Sequence, residues 1–228
     1  MKRMRTTFAV TFTLVIGHWS LVTSATAAEL SPADSAGLLQ KLKEHRARFP
    51  SLTADFAEEK TTHLLTKPLI AQGTIAFQTP TKFRRELKGS TPSITVTDGA
   101  KLWIYYPSFK TAELYTLGQR QFFDDSIAAL TAGMNFERIA DYYRYRAFRE
   151  SEGYRLALTP KSSGLKRMVK ELVVWVDDDF KIQKTEARLP KDDRVVTTYR
   201  NQRPTPLPAS TFEFTPPSGT EISQPLGK

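Results

Sequence analysis

The sequence predicts a mainly β fold, a single strongly curved antiparallel sheet with helices over one side. Three observations carry this. From Gly73 onward apolar residues recur with a period of two, as in Gly73-Thr74-Ile75-Ala76-Phe77. Helical spacing is confined to a segment after Ser31 and another between Asp124 and Met134. No internal repeat or low-complexity linker divides the chain, and 228 residues with 40% hydrophobic content suit one main domain.

The first 28 residues read as an address. Lys2, Arg3 and Arg5 precede an apolar run from Phe8 to Val22, and small residues follow in Ser24-Ala25-Thr26-Ala27-Ala28. This is the layout of a secretory signal peptide, cut after Ala27 or Ala28, and it leaves residues 29–228 as the working domain. The apolar run, broken by Thr11, Thr13, Gly17 and His18, is shorter than the roughly 20 residues that span a bilayer.

Ser31-Pro32-Ala33-Asp34 then reads as a helix start, with Leu38, Leu39, Leu42 and Phe49 at roughly helical spacing and an end near Pro50. Ile75, Phe77 and Thr79 share one face of a strand, as do Phe83, Arg85 and Leu87 after Pro80. Ile94 and Val96 alternate with threonines up to a turn at Asp98-Gly99, followed by Leu102-Trp103-Ile104-Tyr105. Ile127, Leu130 and Met134 fit an inserted helix. Strands resume at Tyr143–Phe148, Tyr154–Leu158, Met168–Val176, Phe180–Leu189 and Val195–Arg200, with turns at Glu152-Gly153 and Asp177-Asp178-Asp179. Five prolines between Pro204 and Pro217 leave room for at most a brief strand around Phe212-Glu213-Phe214.

Composition narrows the function. Loss of the signal leaves 30 basic against 24 acidic residues, a charge of +6, which is too modest to indicate nucleic acid without a basic stripe or a recognised fold. Tyr143-Arg144-Tyr145-Arg146 accordingly reads as a strand with one solvated basic face. Cysteine is absent, so no disulfide, thiol nucleophile or lipidated N-terminal cysteine is available.

The mature chain holds only His45 and His63, with no nucleophile elbow and no Gly-rich phosphate loop, so no enzymatic chemistry and no cofactor are expected. A serine with His63 as its base stays open as a hydrolase reading. No metal site is expected, since the three aspartates lack the ligand spacing of a calcium loop.

Several segments together resemble the periplasmic outer-membrane lipoprotein carriers, the LolA-like family. They are Ala54-Asp55-Phe56; Gly73 to Phe77 with Pro80 and Phe83; Ile94 to Gly99 with Leu102-Trp103-Ile104-Tyr105 and Pro107; Leu158-Thr159-Pro160-Lys161; and Phe212 to Gly219. They occur in the family's order, and Asp-Gly-x-x-Leu-Trp is the most specific.

The resemblance implies an incomplete, half-open β-barrel lidded by helices, soluble in the periplasm and monomeric. Its apolar cavity would take acyl chains of lipoproteins from an inner-membrane ABC transporter to an outer-membrane lipoprotein acceptor. A carrier or sensor of another lipid, such as a glycolipid or a hydrophobic pigment, is the alternative on the same fold.

Phe56, Ile75, Phe77, Phe83, Leu87, Ile94 and Val96 are the expected cavity residues, and Leu42, Ile127 and Leu130 the expected lid residues. Plain core packing would select the same residue types. The family commonly carries an arginine before the proline matching Pro80, where it is thought to hold the lid shut; here that position is Thr79. By alternation Arg85 is placed to supply the missing cation.

Overall fold

The structure, a computed structural model, describes residues 27–117 and 134–225. The expected helix around Ile127 and Leu130 and residues 1–26 of the expected signal peptide lie outside them.

Helix α1 (Pro32–Arg48) begins where the sequence placed it. Ser31 Oγ accepts from the Asp34 N–H at 3.1 Å and donates to the Asp34 carboxylate at 2.7 Å, while Pro32 occupies the first turn, where no N–H is needed. Its buried stripe is Ser35, Leu38, Leu39, Leu42 and Arg46, and His45, Arg46 and Arg48 stand at the negative end of the helix dipole.

Among the described residues thirteen strands follow one another in a single sheet of order β1-β8-β9-β10-β11-β12-β2-β3-β4-β5-β6-β7-β13. The strands are β1 (Ala28–Glu29), β2 (Ser51–Thr61), β3 (Leu69–Gln78), β4 (Lys82–Lys88), β5 (Ser93–Thr97), β6 (Lys101–Tyr106) and β7 (Thr111–Thr116). After them come β8 (Tyr143–Arg149), β9 (Tyr154–Pro160), β10 (Glu171–Val176), β11 (Ile182–Arg188), β12 (Arg194–Pro204) and β13 (Glu221–Ser223). Among the described residues two short helices, α2 (Ile139–Tyr142) and α3 (Ser163–Met168), sit before β8 and after β9.

This corrects the expectation of a strongly curved antiparallel half-barrel: the molecule has a mixed β-sheet with helices. β13 runs parallel to β7, because the proline-rich segment after Pro204 crosses the sheet instead of turning back as a hairpin. The edges β1 and β13, of two and three residues, are not paired with each other. Two-residue alternation decides which side chains share a face, but it carries no information about curvature.

Two further differences concern the centre. β2, eleven residues long, precedes the first strand that periodicity picked out, and β12 continues past Arg200 to Pro204. A register shift between Arg200 and Arg203 absorbs the irregularity that alternation alone reads as a strand end. Gly73 is required where β3 lies between β2 and β4: a Cβ there would stand 1.9 Å from the Glu86 carbonyl oxygen and 2.7 Å from Phe56 Cζ. The Phe56 ring occupies the space that a side chain would fill.

Cross-strand partners lie on one face, so the register separates the two sides of the sheet. The inner face, under α1, carries Leu52, Ala54, Phe56, Ile75, Phe77, Phe83, Leu156, Leu158, Leu172 and Val174, which with Leu38, Leu39 and Leu42 form the main core.

On the outer face Arg84 pairs with Val96 and Val96 with Trp103, while Ile94 pairs with Glu86 and Tyr105. Phe214 covers this part, with its ring 5.8 Å from Trp103 and 5.5 Å from Tyr105. Phe212 is buried nearby, where Arg84 donates to the Thr211 carbonyl oxygen.

Candidate functional site

The inner face brings most of the expected residues together. Phe56 pairs with Gly73, Ile75 with Ala54 and with Arg85, and Phe77 with Leu52 and with Phe83. Phe77 and Phe83 are fully buried, and Leu42 of α1, also fully buried, belongs to the same core. Leu87 is partly buried against that core.

Ile94 and Val96 lie on the opposite face, among Trp103, Tyr105 and the C-terminal segment. Ile127 and Leu130 lie outside the described residues. Thr79 follows β3, and its N–H donates to the Pro50 carbonyl oxygen at 2.8 Å.

Arg85 forms a part-buried ion pair with Glu58 of β2, and its guanidinium stands 4.5 Å from the Phe56 ring centroid. Thr197 donates to the same Glu58 carboxylate at 3.5 Å. Beyond it, burial raises the Tyr199 phenol above its ordinary pKa. A charged, hydrogen-bonded strip therefore borders the apolar stack. In this position Arg85 meets β2, and no short link joins it to Thr79: four residues separate Thr79 from Ile75, the cross-strand partner of Arg85, or about 13 Å of strand.

The cation that does reach the α1–sheet junction is Arg46, which periodicity did not single out. It is 3% exposed, its guanidinium lies 5.8 Å from the Phe77 ring centroid, and it donates to the Phe49 carbonyl oxygen at 3.4 Å. Its Nε has no hydrogen-bond partner among the described residues, and burial pushes its pKa down to about 10. The signal was present in the sequence: Arg46 stands four residues after Leu42 and seven after Leu39, on the apolar stripe.

Groups suited to catalysis are dispersed. His45 packs against Phe49 at 5.1 Å, with its pKa lowered chiefly by burial. His63 is held by Asp193, through its backbone N–H at 3.0 Å and its ring at 2.8 Å. Asp177 caps its own hairpin turn by accepting from the Lys181 N–H and the Gln183 amide. No cluster of three metal-ligating side chains occurs among the described residues. A pocket of about 270 Å³ on the outer face, beside the β12 irregularity, is lined by the Arg84–Glu86 ion pair together with Asp55, Asn201 and Arg203 and is ill suited to an acyl chain. Among the described residues no helix is long and apolar enough to cross a membrane.

Residues 47–215 match the family model described as outer membrane lipoprotein carrier protein LolA. The outer-membrane lipoprotein carrier protein of Dechloromonas aromatica is 27% identical over 202 residues, covering 88% of this chain and 95% of that one. Its counterpart in Pseudoalteromonas translucida is 28% identical, over 80% of this chain and 85% of its own. An uncharacterized conserved protein from Thermus thermophilus shares the fold, with a TM-score of 0.50, 12% identity, and coverage of 83% of this chain and 99% of that one. With the family model spanning most of the chain, from before β2 to the crossing C-terminal segment, the protein belongs to the LolA family of periplasmic outer-membrane lipoprotein carriers, which are not enzymes.

Proposed function

We propose that, once residues 1–28 are removed as a signal peptide, the chain takes lipoprotein acyl chains from an inner-membrane ABC transporter. It holds them between α1 and the inner face of the sheet and passes them to an outer-membrane acceptor. The observation that carries this reading is the α1–sheet junction, where Phe56, Ile75, Phe77 and Phe83 share one core with Leu42 and the buried Arg46 guanidinium faces Phe77.

The task needs such a surface. Burying a methylene is worth about 0.8 kcal/mol, so a chain of about sixteen carbons resists entering water by over 10 kcal/mol. Apolar side chains that replace the membrane remove most of that cost. Because Phe77, Phe83 and Leu42 are fully buried, uptake requires α1 to separate from the sheet, exchanging protein contacts for contacts with cargo.

Arg46 is the cation at this junction in place of the arginine missing at Thr79: it faces Phe77 of the sheet, bonds only the C-cap carbonyl of its own helix at Phe49, and its incomplete hydrogen bonding lowers the cost of release. Arg85 and Glu58 mark the polar limit of the apolar surface, the side from which a cargo peptide would emerge.

Native mass spectrometry with lipid extraction, on protein from the periplasm of its own host, tests the reading. A bound triacylated lipoprotein or acylated peptide, lost in Phe83→Glu, is the expected result. A glycolipid or pigment in its place would refute lipoprotein as the cargo, and a consistently empty protein would refute carriage itself.

A further inference from the structure

The loop joining β2 and β3 has an unusual surface. Leu64, Leu65, Leu69 and Ile70 are 78%, 47%, 47% and 65% exposed, four of the seven large exposed hydrophobic residues among those described, all within seven positions. Scattered exposed leucines need no explanation, whereas a cluster of this kind marks a contact surface.

The register shows why these side chains stay uncovered. β3 meets β4 only from Gln72 onward, opposite Lys88, so Leu69 to Ala71 overhang the neighbouring strand by about 10 Å. Leu69 pairs with Lys60 on the inner face and Ile70 with Glu59 on the outer one, which makes the overhang apolar on both sides. A strand that packs one face against its own core has no use for that pattern.

The hairpin is also held in place. Asp193, in the turn between β11 and β12, accepts from the His63 backbone N–H and bonds its ring. Around the overhang stand Lys60, Lys67, Lys88 and Lys191, none with an ion-pair partner among the described residues. Of the nearby carboxylates Glu58, Asp192 and Asp193 are engaged by Arg85, Lys170 and His63, leaving Glu59. Apolar side chains ringed by free cations are complementary to an anionic lipid interface, where the former enter the acyl boundary and the latter meet headgroup phosphates.

We propose that the tip formed by residues 62–71 is a membrane-contact element, inserting Leu64, Leu65, Leu69 and Ile70 into the interface of an anionic phospholipid bilayer. The overhang matches the depth to which interfacial elements sink, roughly 5–10 Å. The contact is reversible, and it is independent of which cargo the inner face holds.

The chain has no cysteine, so a single Leu64→Cys substitution accepts an environment-sensitive fluorophore at one site of the mature protein. Vesicles of phosphatidylethanolamine with phosphatidylglycerol should shift its emission to the blue, with a smaller shift at high salt and on phosphatidylcholine vesicles. Adding Leu65→Asp and Ile70→Asp should weaken binding by roughly a hundredfold, about tenfold for each buried aliphatic side chain lost.

Co-sedimentation of the unlabelled protein and of the same double variant supplies a second measurement. Because both side chains are exposed, the double variant should keep its circular dichroism spectrum and its uptake of acylated peptide in vesicle-free solution. That separates failure of the membrane contact from failure of the carrier reading. Absence of shift and sedimentation at every phosphatidylglycerol content would overturn the proposal. So would binding that appears only when transporter protein is reconstituted in the vesicles, since the tip would then be a protein contact.

Discussion

Arg46→Met is expected to stabilise the closed protein and slow its loading. Burial moves the guanidinium pKa from its ordinary value to about 10, which corresponds to roughly 3 kcal/mol against the charged form in the folded state. At pH 7 the group lies below both its folded and unfolded values and is charged in each state, so this cost is present throughout and would be relieved only above about pH 10. Against it stand the hydrogen bond to the Phe49 carbonyl oxygen and the contact with Phe77, together about 1–2 kcal/mol.

Methionine fills similar volume without the charge, for a net gain of about 1–2 kcal/mol, or about 2–8 °C in thermal midpoint for a chain of this size. If opening of α1 limits loading, the same energy slows uptake of a fluorescent fatty acid by about 5- to 30-fold. Thermal melts and stopped-flow uptake measure the two effects. A variant destabilised by more than about 1 kcal/mol, or one that loads faster, would refute the argument that the buried charge eases opening.

Arg85→Ala leaves the part-buried Glu58 carboxylate without its ion-pair partner and should cost about 1–3 kcal/mol in urea unfolding, of which Glu58→Gln in the same chain restores at least half; no restoration would show that the two side chains are not coupled. Gly73→Ala drives a Cβ into the Glu86 carbonyl oxygen and the Phe56 ring, with an expected loss of about 1–3 kcal/mol or more, checked by denaturant midpoint. Asp193, hydrogen-bonded by His63, has its carboxyl lowered to about 2, so the stability it contributes is present above the ordinary carboxylate range and is lost as pH falls through about 2. Asp193→Asn should therefore flatten the acid limb of the pH–stability curve, which an unchanged limb would contradict.

The sequence by itself determined the start of α1, from Ser31, Pro32 and Asp34, and the sharing of one face by Ile75, Phe77 and Phe83, since both rest on interactions within a few residues or across one hairpin. It also contained the family, through ordered segments between Ala54 and the C-terminal Phe212 block.

The placement of Ile94 and Val96 depended on more. Alternation says that they differ in side from Thr95 and Thr97, but not which side is inner, because the phase of a strand is reset by the turn before it. Pairing with β4 sets them beside Arg84 and Glu86 on the outer face, which Phe212 and Phe214, more than a hundred residues later, cover and give a second apolar layer. The parallel pairing of β13 has the same origin, a crossing segment whose route no local period encodes.

Arg46 and Arg85 show the limit for charged residues. Local spacing put each on an inward face, but whether a guanidinium there meets a carboxylate, an aromatic ring or an incomplete set of hydrogen bonds depends on which distant strand or helix lies opposite. Short-range sterics and periodicity act along the chain and were legible; partner choice is a property of packing between segments far apart in sequence, and only the tertiary structure decided it.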